Sequence, residues 1–199
     1  MKKKFVLVIA IVLIAVTTCV LLVGCAPKSP TDFLDKWLSS NSKSMKSGDT
    51  VISIYGNAAV SKSKVGNEEF VAYTELDGDT LNMYNGRNQN GKMVWSKSSM
   101  TMQEVKEMFH LEEDLKNISD IFKFQMDLNP DEFKDFDKDF TKKDGVFVGN
   151  EDGKFKGTTI KLSAKEMVVT VGEGEKAVIT TYTIGCDKIS IPDEAKNAK

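Results

Sequence analysis

The chain has 199 residues, 27 of them basic and 29 acidic, and a formal net charge of −2. This length is typical of one domain with a short targeting segment, and a charged fraction of 28% excludes a polytopic membrane protein. The charge balance also argues against nucleic-acid binding, because contacts to phosphates need clustered Lys and Arg side chains.

The first 24 residues have the pattern of a targeting segment. Lys2, Lys3 and Lys4 form a basic start, and an apolar stretch follows from Phe5 to Val23. Such a stretch is typical of a secretory signal or of a single membrane-spanning helix. In either case we expect the residues after it to face the extracytoplasmic side.

The end of this segment favours cleavage. Residues 22–25 are Leu-Val-Gly-Cys, and with the basic start and the apolar core they resemble the lipobox of bacterial lipoproteins. The resemblance implies removal of residues 1–24, a diacylglyceryl group on Cys25, and a protein held by this lipid anchor in the cell membrane. An uncleaved anchor helix with an incidental cysteine is the alternative.

Loss of residues 1–24 changes the charge and the cysteine count. The mature chain has 24 basic and 29 acidic residues, a net charge of −5, and no basic cluster along the sequence that would favour anionic head groups. Cys186 is then the only unmodified cysteine, which excludes an intrachain disulfide. We expect Cys186 to be a small buried hydrophobe.

A helix is predicted at the start of the mature chain. Ser29 is a suitable N-cap, Pro30 fits the first turn, and Asp32 complements the exposed N–H groups there. The apolar face of this helix is predicted to contain Phe33, Leu34, Trp37 and Leu38. The Ser- and Lys-rich stretch from Ser39 to Gly48 is predicted to end it.

Four strands with short connections are predicted next, because apolar residues recur with a period of two. Turn residues at Asp77-Gly78-Asp79 and from Asn85 to Gly91 separate the later strands. The apolar faces, strand by strand, are Ile52, Ile54, Ala58 and Val60; Phe70, Ala72 and Leu76; Leu81 and Met83; and Met93 and Trp95.

A helical insert and a second series of strands complete the chain. Thr101-Met102-Gln103-Glu104 matches a capping box, and apolar residues at helical spacing continue to Phe122. Pro192 is predicted to close the sheet, and residues 193–199 to form a loose tail. The strands of this second series are predicted at Val146–Val148, Phe155–Leu162, Met167–Val171, Ala177–Ile184 and Lys188–Ile191.

This order of elements predicts one α+β domain over residues 31–195, after a linker at residues 25–30 and before a tail at 196–199. Short connections between consecutive strands indicate an antiparallel sheet, and we expect helices to cover one of its faces.

No pattern for catalysis, a metal ion or a cofactor emerges. His110 is the only histidine and has no nucleophile motif near it. Gly172-Glu173-Gly174-Glu175-Lys176-Ala177 matches a dinucleotide motif by letter, but it joins two predicted strands instead of a strand and a helix. The alternating acids of residues 135–139 lack the glycine and glutamate of a calcium loop, which excludes that loop and leaves a loose surface cation site open. We therefore expect a non-catalytic protein without metal or cofactor, while a hydrolase with an unrecognised acid pair stays open.

The domain resembles the LolA/LppX-like group of envelope proteins in three short motifs. These are a hairpin with Tyr84 on one strand and Trp95-Ser96-Lys97 on the other, the helical insert directly after it, and the ending Ile189-Ser190-Ile191-Pro192 followed by acids. The resemblance implies a strongly curved antiparallel half-barrel lidded by helices. It also implies that acyl chains or lipidated cargo bind in the hollow between sheet and helices, without catalytic residues.

Two functional hypotheses lead. The first is binding of a lipid or another apolar ligand in that hollow, which suits the many methionines because their side chains adapt to varied apolar shapes. The second is an interaction or sensor module that contacts another envelope protein through residues 131–144 and has a filled core. Strand alternation gives these candidates for the cavity lining: Ile52, Ile54, Phe70, Met83, Met93, Trp95, Met102 and Met108.

Overall fold

The computed structural model describes residues 27–110, 115–125 and 136–198. The predicted signal segment and Cys25 lie outside these residues, as do residues 131–135 of the predicted interaction segment. Within the described ranges, no helix combines the length and the apolar character needed to cross a bilayer.

Within the described ranges, eleven strands form one sheet and four α-helices accompany it. The strands are β1 (Ser42–Ser47), β2 (Thr50–Tyr55), β3 (Ala58–Val65), β4 (Glu68–Asp77), β5 (Thr80–Gln89), β6 (Lys92–Thr101), β7 (Phe140–Lys143), β8 (Val146–Gly149), β9 (Thr158–Leu162), β10 (Glu166–Val171) and β11 (Val178–Ile184). The helices are α1 (Pro30–Ser39), α2 (Met102–Met108), α3 (Ile118–Gln125) and α4 (Asp193–Lys196), with 3-10 turns at Phe136–Asp139 and Gly174–Lys176.

The sheet order is β6-β5-β4-β3-β2-β1-β11-β10-β9-β8-β7. Every neighbouring pair is antiparallel. Two meanders, β1–β6 and β7–β11, are therefore joined where the first strand pairs with the last, and β6 and β7 are the sheet edges among the described residues. The predicted antiparallel sheet with additional helices is confirmed.

The first meander has two more strands than the sequence pattern indicated. The stretch predicted to end α1 contains β1, which lies between β2 and β11 in the middle of the sheet. The next predicted strand is split by a turn at Gly56, where φ is +57°, so that Ile54 of β2 pairs with Ala59 of β3. The prediction that Ile52, Ile54, Ala58 and Val60 share a face was wrong, because this turn makes Ala59 the neighbour of Ile54.

The second meander differs from the prediction at both ends. Phe140–Lys143 forms edge strand β7, and the segment predicted as a strand from Phe155 begins pairing only at Thr158. Residues 188–191 are not in the sheet, and the predicted loose tail contains α4 with Ala195 fully buried. Alternation of Ile189 and Ile191 resembles a strand, but here it reflects contact with the sheet surface by a segment that crosses it.

Helix α1 begins as its sequence predicts. The Ser29 side chain accepts a hydrogen bond from the backbone N–H of Asp32 at 3.2 Å. The helix packs its apolar face into a first core cluster. The buried members of this cluster are Phe33, Leu34, Trp37, Leu38, Phe136, Phe140, Phe147, Ile160 and Met167.

A buried lysine ties the end of α1 to β1. The Lys43 ammonium donates a hydrogen bond to the Leu38 carbonyl at 2.7 Å and lies 5.3 Å from the centroid of the Trp37 ring. The Trp37 indole N–H donates in turn to the Ser44 carbonyl at 3.1 Å. A cation at a helix C-terminus also suits the helix dipole, which explains how a polar, lysine-bearing strand occupies the sheet centre.

Helices α2 and α3 pack into a second core cluster. The predicted capping box is confirmed, since the Thr101 side chain accepts from the Glu104 backbone N–H at 3.2 Å and the Thr101 N–H donates to the Glu104 carboxylate at 2.6 Å. The buried members of the cluster are Ile54, Ala59, Leu76, Leu81, Val105, Ile118, Ile121 and Phe122.

Strand register assigns the sheet residues of both clusters to one face. Met45 is directly opposite both Ile52 and Tyr182, and Tyr182 is opposite Met167. Directly opposite residues of an antiparallel pair point to the same side. We call this side the Ile54 face, and the other, which carries Val51, Val60, Tyr73, Tyr84 and Trp95, the Tyr73 face.

Candidate functional site: a groove on the Tyr73 face

Four of the eight predicted lining residues lie together on the Ile54 face. Ile54 is a buried member of the second cluster, and Ile52, Met83 and Met102 pack against it. Val105 and Ile118 contact the same cluster at 1% and 0% exposure. In the described part of the chain these residues therefore contribute to a packed core.

The other four lie elsewhere. Phe70 is on the Ile54 face near the opposite end of β4, where the Arg87 guanidinium lies 5.5 Å from its ring centroid. Met108 is 57% exposed at the end of α2. Met93 and Trp95 are on the Tyr73 face, so the structure does not bring the eight residues together.

The turn between β5 and β6 explains the position of Met93 and Trp95. Gln89 pairs with Lys92 across a two-residue turn, and this register places Leu81 opposite Met100. Odd-numbered residues of β5 are thus opposite even-numbered residues of β6. Adjacent residues of a strand alternate in direction. Leu81 and Met83 of β5 therefore point to one face of the sheet, and Met93 and Trp95 of β6 point to the other.

The C-terminal segment crosses the Tyr73 face. We call residues 186–192 the strap. At its start the Cys186 backbone N–H donates to the Ser42 hydroxyl at 2.8 Å, and the Cys186 thiol donates to the Ile54 carbonyl at 3.1 Å. The expectation of a buried Cys186 is met only in part, since the residue is half-buried beside a groove.

An aromatic cluster receives the end of the strap. Ile191 and Ala195 are buried against Tyr84, with Tyr73 and Trp95 packed around them. The Trp95 ring lies over Gly86, where a Cβ atom would come within 2.6 Å of the ring. Glycine at this position thus allows the indole to lie close to the backbone of β5.

A groove of about 420 Å³ lies between the strap and strands β2–β4. Its volume is within the range of roughly 300–1,000 Å³ that is usual for ligand sites. Apolar contacts come from β2, β3, β4 and the strap, and polar groups surround them. The lining residues are Val51, Ser53, Val60, Lys62, Tyr73, Cys186, Asp187, Lys188, Ile189 and Ser190.

Burial affects the tyrosines of this face. Desolvation raises the pKa of Tyr73 above 10.0. Desolvation raises the pKa of Tyr84 as well, helped by the nearby carboxylates of Glu75 and Asp77. Phenols are protonated at neutral pH even without this rise, so both tyrosines offer a hydroxyl donor at the edge of an apolar surface.

A second cavity, of about 390 Å³, lies beside α2. Met102 and Leu115 provide its apolar lining, and Asp79, Thr101, Gln103 and Lys106 provide polar groups. Hydrogen bonds from the Thr101 backbone and side chain lower the pKa of Glu104, which keeps its carboxylate ionised for capping. Polar residues are four of the six that line this cavity, and Met102 is the one predicted lining residue among them.

The described residues show no cluster suited to a metal ion. No group of three or more His, Cys, Asp or Glu side chains among them could hold a metal. His110 is exposed at the end of α2 with a φ of +53°. Phe136 and Phe140 of the predicted interaction segment are buried in the first cluster, and Asp137 accepts a hydrogen bond from the Thr31 backbone N–H at 3.2 Å.

Sequence reasoning did not identify the groove. Its residues come from β2, β3, β4 and the strap, and only the register brings them together. The Ile-x-Ile-Pro ending was predicted to be a strand. Comparisons with models of known protein families, with curated proteins and with solved structures gave no match. The resemblance to the LolA/LppX-like group is therefore carried by the sequence motifs alone.

Proposed function

We propose that the protein is a membrane-anchored extracytoplasmic lipoprotein that binds an apolar ligand in the groove on the Tyr73 face. The groove itself carries this proposal: its volume suits a small ligand, and Val51, Val60 and Ile189 provide an apolar surface. The lipobox resemblance supports the anchor, which would hold the domain next to a source of lipids.

The shape of the sheet is part of the proposal. A curved half-barrel with helices over one face would agree with the sequence resemblance. The packing of α1, α2 and α3 side chains with residues of the Ile54 face supports such an arrangement. Ligand binding would then use the face that carries the strap, and the core under the helices would hold the fold together.

Acylation can be tested directly. We expect the full-length chain to incorporate labelled palmitate in bacterial cells and to fractionate with membranes. The Cys25→Ala variant should incorporate none. Label on that variant, or a wild-type chain without label, would contradict the lipid anchor.

Ligand binding needs a matched pair of variants. Native mass spectrometry of the full-length chain, released from membranes into neutral lipid nanodiscs, should show a co-purified apolar molecule that solvent extraction removes. Val51→Glu places a charge in the groove and should abolish it. Val65→Glu makes the same change at a residue that is 68% exposed outside the groove, and should leave it in place.

The two variants must also unfold at similar urea concentrations. Only then can loss of the ligand be assigned to the change in the groove and not to a loss of stability. A wild-type protein that carries no ligand, and binds none when lipids are offered, would overturn the groove proposal.

A second function, docking of another envelope protein, is favoured by one observation. The described cores under the helices are packed, while Val171, Val178 and Ile179 at the β10–β11 hairpin are 49%, 56% and 53% exposed. A photoreactive residue at position 178 in intact membranes should then cross-link to one defined protein. The same residue at position 65 is the control.

A further inference from the structure

The groove lies beside a row of basic residues that the register creates. Lys46 of β1 is directly opposite Val51 of β2, and Val51 is directly opposite Lys62 of β3. All three residues are on the Tyr73 face. Since neighbouring strands are about 4.8 Å apart, the two lysine Cα atoms are about 10 Å apart and Val51 lies between them.

The strap adds a third lysine to this row. Lys188 lines the same groove as Val51 and Lys62. Lys46 and Lys188 are exposed, as is Lys62, so their ammonium groups are hydrated and can turn toward a ligand. The one acid in the groove lining is Asp187, also on the strap.

These lysines are not occupied by ion pairs in the described structure. Arg87 pairs with Glu68 and Lys156 with Glu151, and neither pair involves the groove. A mature chain with a net charge of −5 would on average repel an anion. The groove is therefore a local positive site with an apolar surface beside it.

We propose that the groove binds a single-chain amphiphile with an anionic head group, a carboxylate or a phosphate monoester. Its apolar chain would lie on Val51, Val60 and Ile189 under the strap, and Lys62 and Lys188 would contact the head group, with Lys46 adding charge from the neighbouring strand. This inference rests on the proposed function, because it specifies the ligand of the same groove.

The chemistry of the lining explains this preference. Lysine binds carboxylates and phosphates through a compact, strongly charged ammonium group, and such charge-assisted hydrogen bonds are stronger than those between neutral groups. The Tyr73 hydroxyl is a further donor in the lining. A groove of about 420 Å³ is near the lower end of usual ligand sites, which favours one chain over two.

The test uses the full-length chain in nanodiscs of phosphatidylcholine, to which photoreactive probes of equal chain length are added. One probe ends in a carboxylate, one in a phosphate monoester and one in a neutral alcohol. After illumination, peptide mass mapping measures labelling at β2–β4 and at the strap. We expect at least one anionic probe to label these peptides about tenfold more than the alcohol, a ratio that equals about 1.4 kcal/mol in binding.

A charge-matched pair of variants locates the effect. Lys62→Gln should lower anionic labelling several-fold and leave labelling by the alcohol unchanged. Lys92→Gln removes the same charge at the exposed β5–β6 turn, outside the groove lining, and should change neither. The relative labelling by the carboxylate and the phosphate ester identifies the preferred head group.

Two results would overturn the inference, and they differ in what else they affect. Equal labelling by the alcohol and both anionic probes, or equal behaviour of the two variants, would contradict the preference for an anionic head group. The proposal that the groove binds an apolar ligand would remain. Labelling of these peptides by none of the three probes removes the proposed function as well.

Discussion

The two faces of the sheet use their aromatic residues in different ways. Trp37 of α1 packs against the Ile54 face and is 1% exposed. The centroids of its ring and the Tyr182 ring are 5.3 Å apart, and its indole N–H donates a hydrogen bond to the Ser44 carbonyl. On the Tyr73 face, Trp95 is partly exposed and packs against Tyr73, with the two ring centroids 5.8 Å apart. One tryptophan fills a core, while the other supports a segment that crosses the surface.

The apolar residues of this chain therefore have two roles. Those of the first and second clusters on the Ile54 face pack with side chains of the helices and stabilise the fold. Those under the strap leave a groove, and lysines lie at its border. The proposed ligand site therefore lies apart from the two core clusters that contain most of the buried aromatic residues.

The largest expected effect distinguishes the two tryptophans. Trp37→Ala should lower the free energy of unfolding by about 3–5 kcal/mol, because it leaves a cavity in the first cluster. Trp95→Ala should cost about 1 kcal/mol, as for an ordinary substitution. Urea unfolding of both variants checks this, and equal losses would show that the two faces contribute alike.

The close contact between Gly86 and Trp95 allows a sharper test of the Tyr73 face. Gly86→Ala should cost about 1–3 kcal/mol, because the new methyl group meets the indole ring. In a Trp95→Ala background the same change should cost nothing, or should stabilise the strand slightly, since alanine loses less backbone entropy than glycine. Additive effects in this double-mutant cycle would contradict the contact.

On the Ile54 face, the capping box of α2 should have a smaller effect. Thr101→Ala removes the side-chain acceptor for the Glu104 N–H and should cost about 1 kcal/mol. Thr101→Ser retains the hydroxyl and should be close to neutral. A similar loss for both variants, measured by thermal unfolding, would show that the cap does not stabilise α2.

The smallest effect is a loss of stability at alkaline pH, to which tyrosines of both faces contribute. Burial raises the pKa of Tyr182 on the Ile54 face and of Tyr73 and Tyr84 on the Tyr73 face above 10.0. The folded state then holds these protons more tightly than the unfolded state. The contribution of these phenols to stability is therefore fully present below pH 10.0 and is lost as the pH rises further. Unfolding measured across this range should show the fall, and Tyr182→Phe should reduce it. A Tyr182→Phe variant with the same dependence would show that Tyr182 does not contribute.

Local signals predicted several elements correctly. The start of α1 follows from Ser29 and Pro30, and the capping box of α2 follows from four consecutive residues. The alternating pattern and the turn residues predicted β4, β5 and β6, although residues 85–89, which were predicted as part of a turn, belong to β5. These features depend on side chains close in sequence, whose preferences do not need the rest of the fold.

Other elements were not predicted from the sequence, because their positions depend on contacts with residues that are distant in sequence. Strand β1 has a Ser- and Lys-rich sequence, yet it is central because β2 and β11 pair with it. Residues 188–191 alternate like a strand, but they cross a sheet surface instead of pairing. A one-residue difference in register reverses the face of a whole strand, and this is why Met93 and Trp95 were assigned to the wrong side.

The sequence by itself determined that the chain forms an antiparallel sheet with helices, and it predicted a lipid anchor at Cys25. Tertiary structure alone decided where a ligand could bind. The linear sequence has no basic cluster, but pairing across β1, β2 and β3 places Lys46 and Lys62 on either side of Val51, and the strap adds Lys188. Local preferences set each strand, whereas strand register and the path of the C-terminus set which side chains meet.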